Sequence, residues 1–213
     1  MLYLSGSRPS NLEHQATMKA SNIGLMSSPN ISYNTTGWLW AADNGCFSDK
    51  WNSAQWLAWL NRTAGAIFAT VPDVVGDAAA TRARWDEWSG VVSDSGHLPG
   101  YVLQDGQDGV DVPWDDAACL FIGGSTAYKL SESARLHAKE ARRRGLWVHM
   151  GRVNSHKRLE LAAAWGCNSA DGTLLAFGPD IHVPRLTGWL RRLQAEPSLF
   201  GDNFNQITPQ TAA

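Results

Sequence analysis

The stretch Cys167-Asn168-Ser169-Ala170-Asp171-Gly172-Thr173 decides how the chain is read. It follows a helix-patterned segment, 154–166, and sets one carboxylate, Asp171, near the end of a short apolar run beside a glycine. Asp-Gly by itself is a turn signal. Three further acids, Asp43, Asp73 and Asp105, close apolar runs earlier in the chain in the same way. Carboxylates from several strand ends meeting at one rim is how a parallel α/β barrel assembles an active site. Asp171 is therefore the candidate for covalent chemistry.

Working outward, apolar runs short enough for strands buried on both faces fall at 2–5, 23–27, 38–42, 66–71, 100–103, 119–122, 146–150 and 167–170. Helix-length segments lie between most of them, at 11–20, 53–63, 78–93, 130–144 and 155–165, and a last amphipathic helix is expected at 186–194. Asn154 or Ser155 opens one helix, and Gly145 and Gly166 follow helix ends. Strand then helix, repeated about eight times, points to a closed parallel barrel before an open sheet. The expected fold is α/β, a compact (β/α)8 TIM-type barrel forming a single domain over 1–200, with a polar tail at 201–213. The polar, Gly/Asp-rich stretch 107–116 reads as an irregular crossover where the pattern asks for a helix.

Composition narrows the function classes. With 213 residues, 44% hydrophobic and 18% charged, the chain has the make-up of a globular domain. No apolar run approaches the roughly 20 residues of a membrane span, and the first residues lack the pattern of a signal peptide, so a cytoplasmic location is expected. Cys46, Cys119 and Cys167 lie far apart and fit neither a disulfide framework nor a paired-cysteine zinc site. A net charge of -2 does not announce a nucleic-acid binder, although a local basic patch can supply phosphate contacts. Several of the 11 tryptophans fall on helix-patterned segments, where packing between helix and sheet accounts for them best.

Five short motifs fall at strand ends: Asp43-Asn44-Gly45-Cys46-Phe47, Val71-Pro72-Asp73, Gln104-Asp105-Gly106, Gly123-Gly124-Ser125 and the Asp171 segment. Singly, each has a plain structural reading. Gly123 and Gly124 fit a tight turn as well as a close approach of ligand to backbone. Asp73 fits a helix cap or an arginine pairing as well as a ligand contact. Met150 fits the core as well as a platform for a flat ligand. Arg152, His156, Lys157 and Arg158, after the seventh run, fit a solvated helix start as well as phosphate contacts. His149 reads as a satisfied strand histidine, and 142–144 as a solvated face on the opposite rim.

Taken in order, these motifs resemble the tRNA-guanine transglycosylase superfamily. Asp43-Asn44-Gly45-Cys46-Phe47 resembles the family's Asp-Ser-Gly-Gly-Phe motif, and Asp73 stands where a base-reading aspartate follows. Val102-Leu103-Gln104-Asp105-Gly106 is similar to a Val-Gln-Gly-Gly segment, Phe121-Ile122-Gly123-Gly124 to the Gly-Gly segment, and His149-Met150-Gly151 to a Leu-Met-Gly segment. The stretch ending in Asp171 resembles the nucleophile strand, Gly-Val-Asp-x-Phe-Asp. The clustered-cysteine zinc subdomain of the tRNA enzymes has no counterpart here, and the chain is much shorter than theirs. Both features resemble the short phage-type 7-deazaguanine DNA transglycosylases.

The resemblance implies exchange of guanine in DNA, in preference to tRNA, for a free 7-deazaguanine such as 7-cyano-7-deazaguanine. Asp171 would be the nucleophile and Asp43 the acid and base. Asp73, Gln104, Gly123, Gly124 and Met150 would hold the base, and Arg152, His156, Lys157 and Arg158 the nucleic-acid backbone. No metal or other cofactor is called for, while a helper protein or a homodimer fits the modest overall charge. A hydrolase of free nucleotides and a non-catalytic nucleic-acid-binding barrel remain the alternatives.

Overall fold

The computed structural model describes residues 1–48 and 51–195. The strands are β1 (Leu2–Ser5), β2 (Ile23–Ser27), β3 (Trp40–Ala42), β4 (Ala69–Thr70), β5 (Pro99–Leu103), β6 (Cys119–Ile122), β7 (Trp147–Met150) and β8 (Ser169–Gly172). They pair in chain order, all parallel, and β8 returns to β1 with Leu4 opposite Asp171, which closes the barrel. The helices are α1 (Leu12–Ala20), α2 (Ser53–Leu60), α3 (Ala78–Asp94), α4 (Thr126–Lys129), α5 (Glu132–Arg143), α6 (His156–Ala164) and α7 (Pro179–Ala195). The chain is thus a single-domain (β/α)8 barrel, and no described helix is long and apolar enough to cross a membrane.

Local chemistry sets the element boundaries. Asn11, Asn52, Asp77, Ser131 and Ser155 each accept a backbone N–H in the first turn of α1, α2, α3, α5 and α6, satisfying donors that a helix start leaves without partners. The cap of α3 is therefore Asp77, which releases Asp73 from that role. The crossover after β5 is irregular as expected, holding only a 3-10 turn at Gln107–Gly109. Two boundaries differ from the sequence pattern. Strand β8 starts at Ser169, so Asp171 lies within it, and α7 starts at Pro179 and carries Pro184 inside. The expected tail, 201–213, lies outside the described residues.

Side chains alternate across a strand, so a closed sheet sorts its residues into two layers. Leu2, Leu4, Met26, Ala41, Phe68 and Cys119 form the interior cluster, with Phe121 and Trp147 packed on it. Tyr3, Leu25, Leu103, Val148 and Met150 belong to the larger cluster shared with the helices. Trp56, Trp59 and Trp85 are buried in that outer layer. Edge-to-face pairs Trp40–Trp59, Trp56–Trp88 and Trp85–Tyr101 lock α2 and α3 onto the sheet.

Gly24 shows how close the strands come: a Cβ there would collide with the Leu39 carbonyl oxygen, which also accepts the Leu25 N–H at 3.0 Å. Gly24→Ala must push β2 away from the segment entering β3. A loss of at least about 1–3 kcal/mol is expected, read as a lower urea midpoint with an unchanged m-value.

Candidate active site

The alternation that fills the interior also fills the mouth. Asp43 stands two residues beyond the inward Ala41, and Asp171 two beyond Ser169, so both carboxylates turn into the same opening. Burial pushes the Asp43 carboxyl up to about 7, and the negative charges of Asp171 and Asp73 push it the same way. The Gly45 and Asn44 amides oppose the rise without cancelling it. Three acids from β3, β8 and the β4 loop thus share one electrostatic neighbourhood, and Asp43 holds a proton most readily.

Asp171 is held by one oxygen. Its Oδ1 accepts the Arg152 backbone N–H at 3.0 Å and faces His149 Nε2 at 3.1 Å. Arg152 adopts φ +58°, a left-handed conformation uncommon outside glycine, and this aims its amide at the carboxylate. His149 is fully buried between the Phe68 and Phe121 rings, with centroids 5.3 and 4.4 Å away.

The donor inventory assigns the tautomer of His149. The Trp147 indole N–H can only donate, and it reaches Ser169 Oγ at 2.8 Å. The Asp171 carboxylate can only accept, so Nε2 carries the hydrogen offered to it, and Nδ1 of the neutral ring accepts the Ser169 hydroxyl hydrogen at 2.7 Å. His149 is thus more than a satisfied strand histidine. It links a buried relay to the candidate nucleophile, and its sequence signal was one polar residue inside the apolar run Trp147-Val148-His149-Met150.

Asp73 is buried beside this mouth, and burial raises its pKa. Asn44 Nδ2 donates to its Oδ1 at 2.8 Å and Gln104 Nε2 to its Oδ2 at 2.5 Å. Gln104 is itself oriented by the Gly76 N–H on its Oε1 at 2.9 Å, and Asn44 by the Cys46 N–H at 2.8 Å. Arg84, from α3, donates to the Asp73 carbonyl at 3.1 Å and fixes the loop. The Asp73 backbone N–H also reaches its carboxylate, and the four lone-pair sites of the two oxygens leave room for a further donor. Asn44 and Arg84 belong to this arrangement though neither was a candidate, because only the folded loop brings them to Asp73.

Comparison with models of known protein families and with curated proteins finds no match for this chain.

Three expectations need correction. Asp105 does not join the acids: Ser125 donates to it through its amide at 2.7 Å and its hydroxyl at 2.6 Å, and these bonds hold the Asp105 carboxyl below its ordinary range. As the neighbour of inward Gln104 it has the opposite parity and serves the turn that starts α4. Met150, next to inward His149, likewise has the outward parity and packs in the outer core at 2% exposure, where it borders the pocket of Lys129, Arg152 and Arg158 and not the opening that Asp43 and Asp171 share. His156 turns to Glu160 at 3.4 Å and to the Trp189 ring at 5.4 Å, away from any backbone-binding position.

The remaining candidates sit at the rim. Side chains are excluded at Gly123 by Val102 and the Leu103 carbonyl, and at Gly124 by Asp105 and Tyr128. Arg152 donates to the Gly124 carbonyl at 2.6 Å and Arg158 to the Arg152 carbonyl at 3.4 Å, while Lys157 is exposed. Among the described residues no cluster of three or more His, Cys, Asp or Glu side chains could hold a metal ion.

The raised pKa of Asp43 has a consequence for stability. Its folded pKa of about 7 exceeds the ordinary 3.8, so the folded protein keeps a proton that the unfolded chain releases within that window. This group favours the folded state at low pH, and the advantage is lost as pH rises through about 7. Asp43→Asn is expected to flatten the decline in unfolding free energy between roughly pH 4 and pH 7, measured by urea denaturation of both proteins across that range.

Proposed function

We propose that the protein exchanges a guanine base in DNA for a 7-deazaguanine, through a covalent bond between Asp171 and the sugar. The observation that carries the reading is a protonatable Asp43 beside an Asp171 held through a single oxygen. Paired carboxylates with unequal environments are what glycosidic bond exchange requires.

In this mechanism Asp171 Oδ2 attacks C1′ as the C1′–N9 bond breaks, and Asp43 gives its proton to the departing guanine. The incoming 7-deazaguanine then loses its N9 proton to Asp43, and N9 attacks C1′ to release Asp171. Proton and carboxylate both return to their starting states, so no further reactant is needed. The free lone pairs of Asp73 accept from the N1–H and exocyclic amine of guanine, while Gln104 and the Gly124 amide address O6. Adenine would leave these buried groups without partners, which is a strong basis for rejection. A base within a duplex must first leave its stack, at a cost of a few kcal/mol.

Nucleoside mass spectrometry after incubation with 7-cyano-7-deazaguanine and either DNA or tRNA tests the reading. The deazanucleoside is expected in DNA with the wild type and in neither polymer with Asp171→Ala. Modification of tRNA alone would assign the other polymer, and release of free guanine without exchange would make the protein a hydrolase.

His149→Phe keeps an aromatic ring between Phe68 and Phe121 but removes the hydrogen bond to Asp171. A fall in kcat of about 100-fold with little change in KM is expected, read from single-turnover and steady-state exchange. An unchanged kcat would limit the relay to packing.

A further inference from the structure

Four guanidinium groups on the outer helices meet a carboxylate: Arg82 meets Asp86, Arg135 meets Glu132, and Arg143 and Arg144 meet Glu140. Three cations at the mouth do not follow this rule. Lys129, Arg152 and Arg158 line one pocket with Thr126 and Gly151, and no acidic group lies within ion-pair distance of them among the described residues. Lys129 is only 4% exposed, yet its ammonium meets a single carbonyl oxygen, that of Gly124 at 3.2 Å, which Arg152 also uses. An ammonium has three hydrogens to place and a guanidinium five. Among the described residues these side chains make one hydrogen bond each, to a carbonyl oxygen, and the Arg152 guanidinium lies 4.8 Å from the centroid of the Phe47 ring, so most of this donor capacity is unused.

A buried lysine with positive neighbours is an unfavourable arrangement unless an anion completes it. Burial, then the charge of Arg152, lowers the Lys129 pKa to about 8, while the charge of Asp171 reaches it from the other side. The pocket also adjoins the candidate nucleophile through one peptide unit, because the Arg152 N–H binds Asp171 Oδ1 while its side chain reaches Gly124. A ligand with several acceptor oxygens on one tetrahedral centre matches three cations better than a planar carboxylate does.

We infer that Lys129, Arg152 and Arg158 receive one phosphate group flanking the nucleotide whose sugar faces Asp171, so that the substrate is a linked or phosphorylated nucleotide and not a free nucleoside. This rests on the reading of Asp171 as the group that attacks the sugar. Lys129, at the base of the pocket, fixes the phosphate, and the two arginines close over it. That places C1′ by its own backbone before the base is read.

The test uses a short single-stranded oligodeoxynucleotide with one central guanosine. One form is all phosphodiester, and two others carry a single neutral methylphosphonate 5′ or 3′ to the guanosine. Affinities are measured by fluorescence anisotropy for the wild type, Lys129→Met and Arg158→Gln, with folding checked by circular dichroism. One methylphosphonate position is expected to weaken wild-type binding about tenfold. Lys129→Met should weaken phosphodiester binding by a similar factor and show no further loss with that methylphosphonate, because the two changes remove one interaction. Arg158→Gln should show the same coupling if Lys129→Met fails to fold. Simple additivity, indifference to both methylphosphonates, or no binding of the phosphodiester strand by the wild type overturns the inference. Base exchange scored on the same strands separates the two ideas: coupling without exchange keeps the phosphate pocket and removes the transglycosylase, whereas exchange without coupling does the reverse.

Discussion

Two carboxylates turned into the mouth of one closed barrel cannot remain equivalent. Solvent is scarce there, each charge raises the cost of the other, and burial with like charge leads one group to keep a proton. Asp43 is that group, with its pKa pushed up to about 7 by burial and by Asp171 and Asp73. Asp171 is instead met by the Arg152 amide and the His149 ring. The unequal surroundings of the two carboxylates thus follow from backbone position, because the end of β3 and β8 deliver the two side chains with the same inward parity.

Parity also explains what could be read from the sequence and what could not. The run of short apolar segments gave the barrel, since strands covered on both faces need no alternation and helices of ordinary length separate them. The same lack of alternation hid which residues face inward. Nothing in Val148-His149-Met150 distinguishes the two sides of β7, so the resemblance put Met150 at the ligand, whereas the sheet gives that side to His149. Gln104 and Asp105 pose the same problem at the end of β5, where one step along the chain separates a buried partner of Asp73 from a cap on the Ser125 turn. Asn44 and Arg84 were hidden for another reason. Their roles depend on loop closure over Asp73, which no local pattern encodes.

The rigid parts of the site are its neutral hydrogen bonds. Asn44 and Gln104 occupy one lone pair on each Asp73 oxygen, and both amides are fixed in turn by backbone N–H groups. Trp147, Ser169 and His149 do the same for Asp171 from within the interior. In each case neutral groups hold the carboxylate oxygens, while the charge of Arg84 reaches Asp73 from its backbone carbonyl. A cation set directly on these carboxylates would also lower the pKa of Asp43, against the proton transfer proposed for it.

The cations stand to one side for the same reason. Lys129 and Arg152 converge on the Gly124 carbonyl, across the end of β6 from the acids of β3 and β4, and Arg158 adds to them from α6. The mouth is therefore divided into an acidic part, where a proton is held, and a basic part, where positive charge is unmatched. A net charge of -2 conceals this division, because it sums the acids and bases of the whole chain without regard to where they stand. A ligand that is anionic at one end and rich in N–H donors at the other complements both parts at once. A nucleotide carrying guanine has that polarity, with its phosphate and the N1 and amine edge of its base at opposite ends, so the charge division and the proton division of the site favour the same substrate.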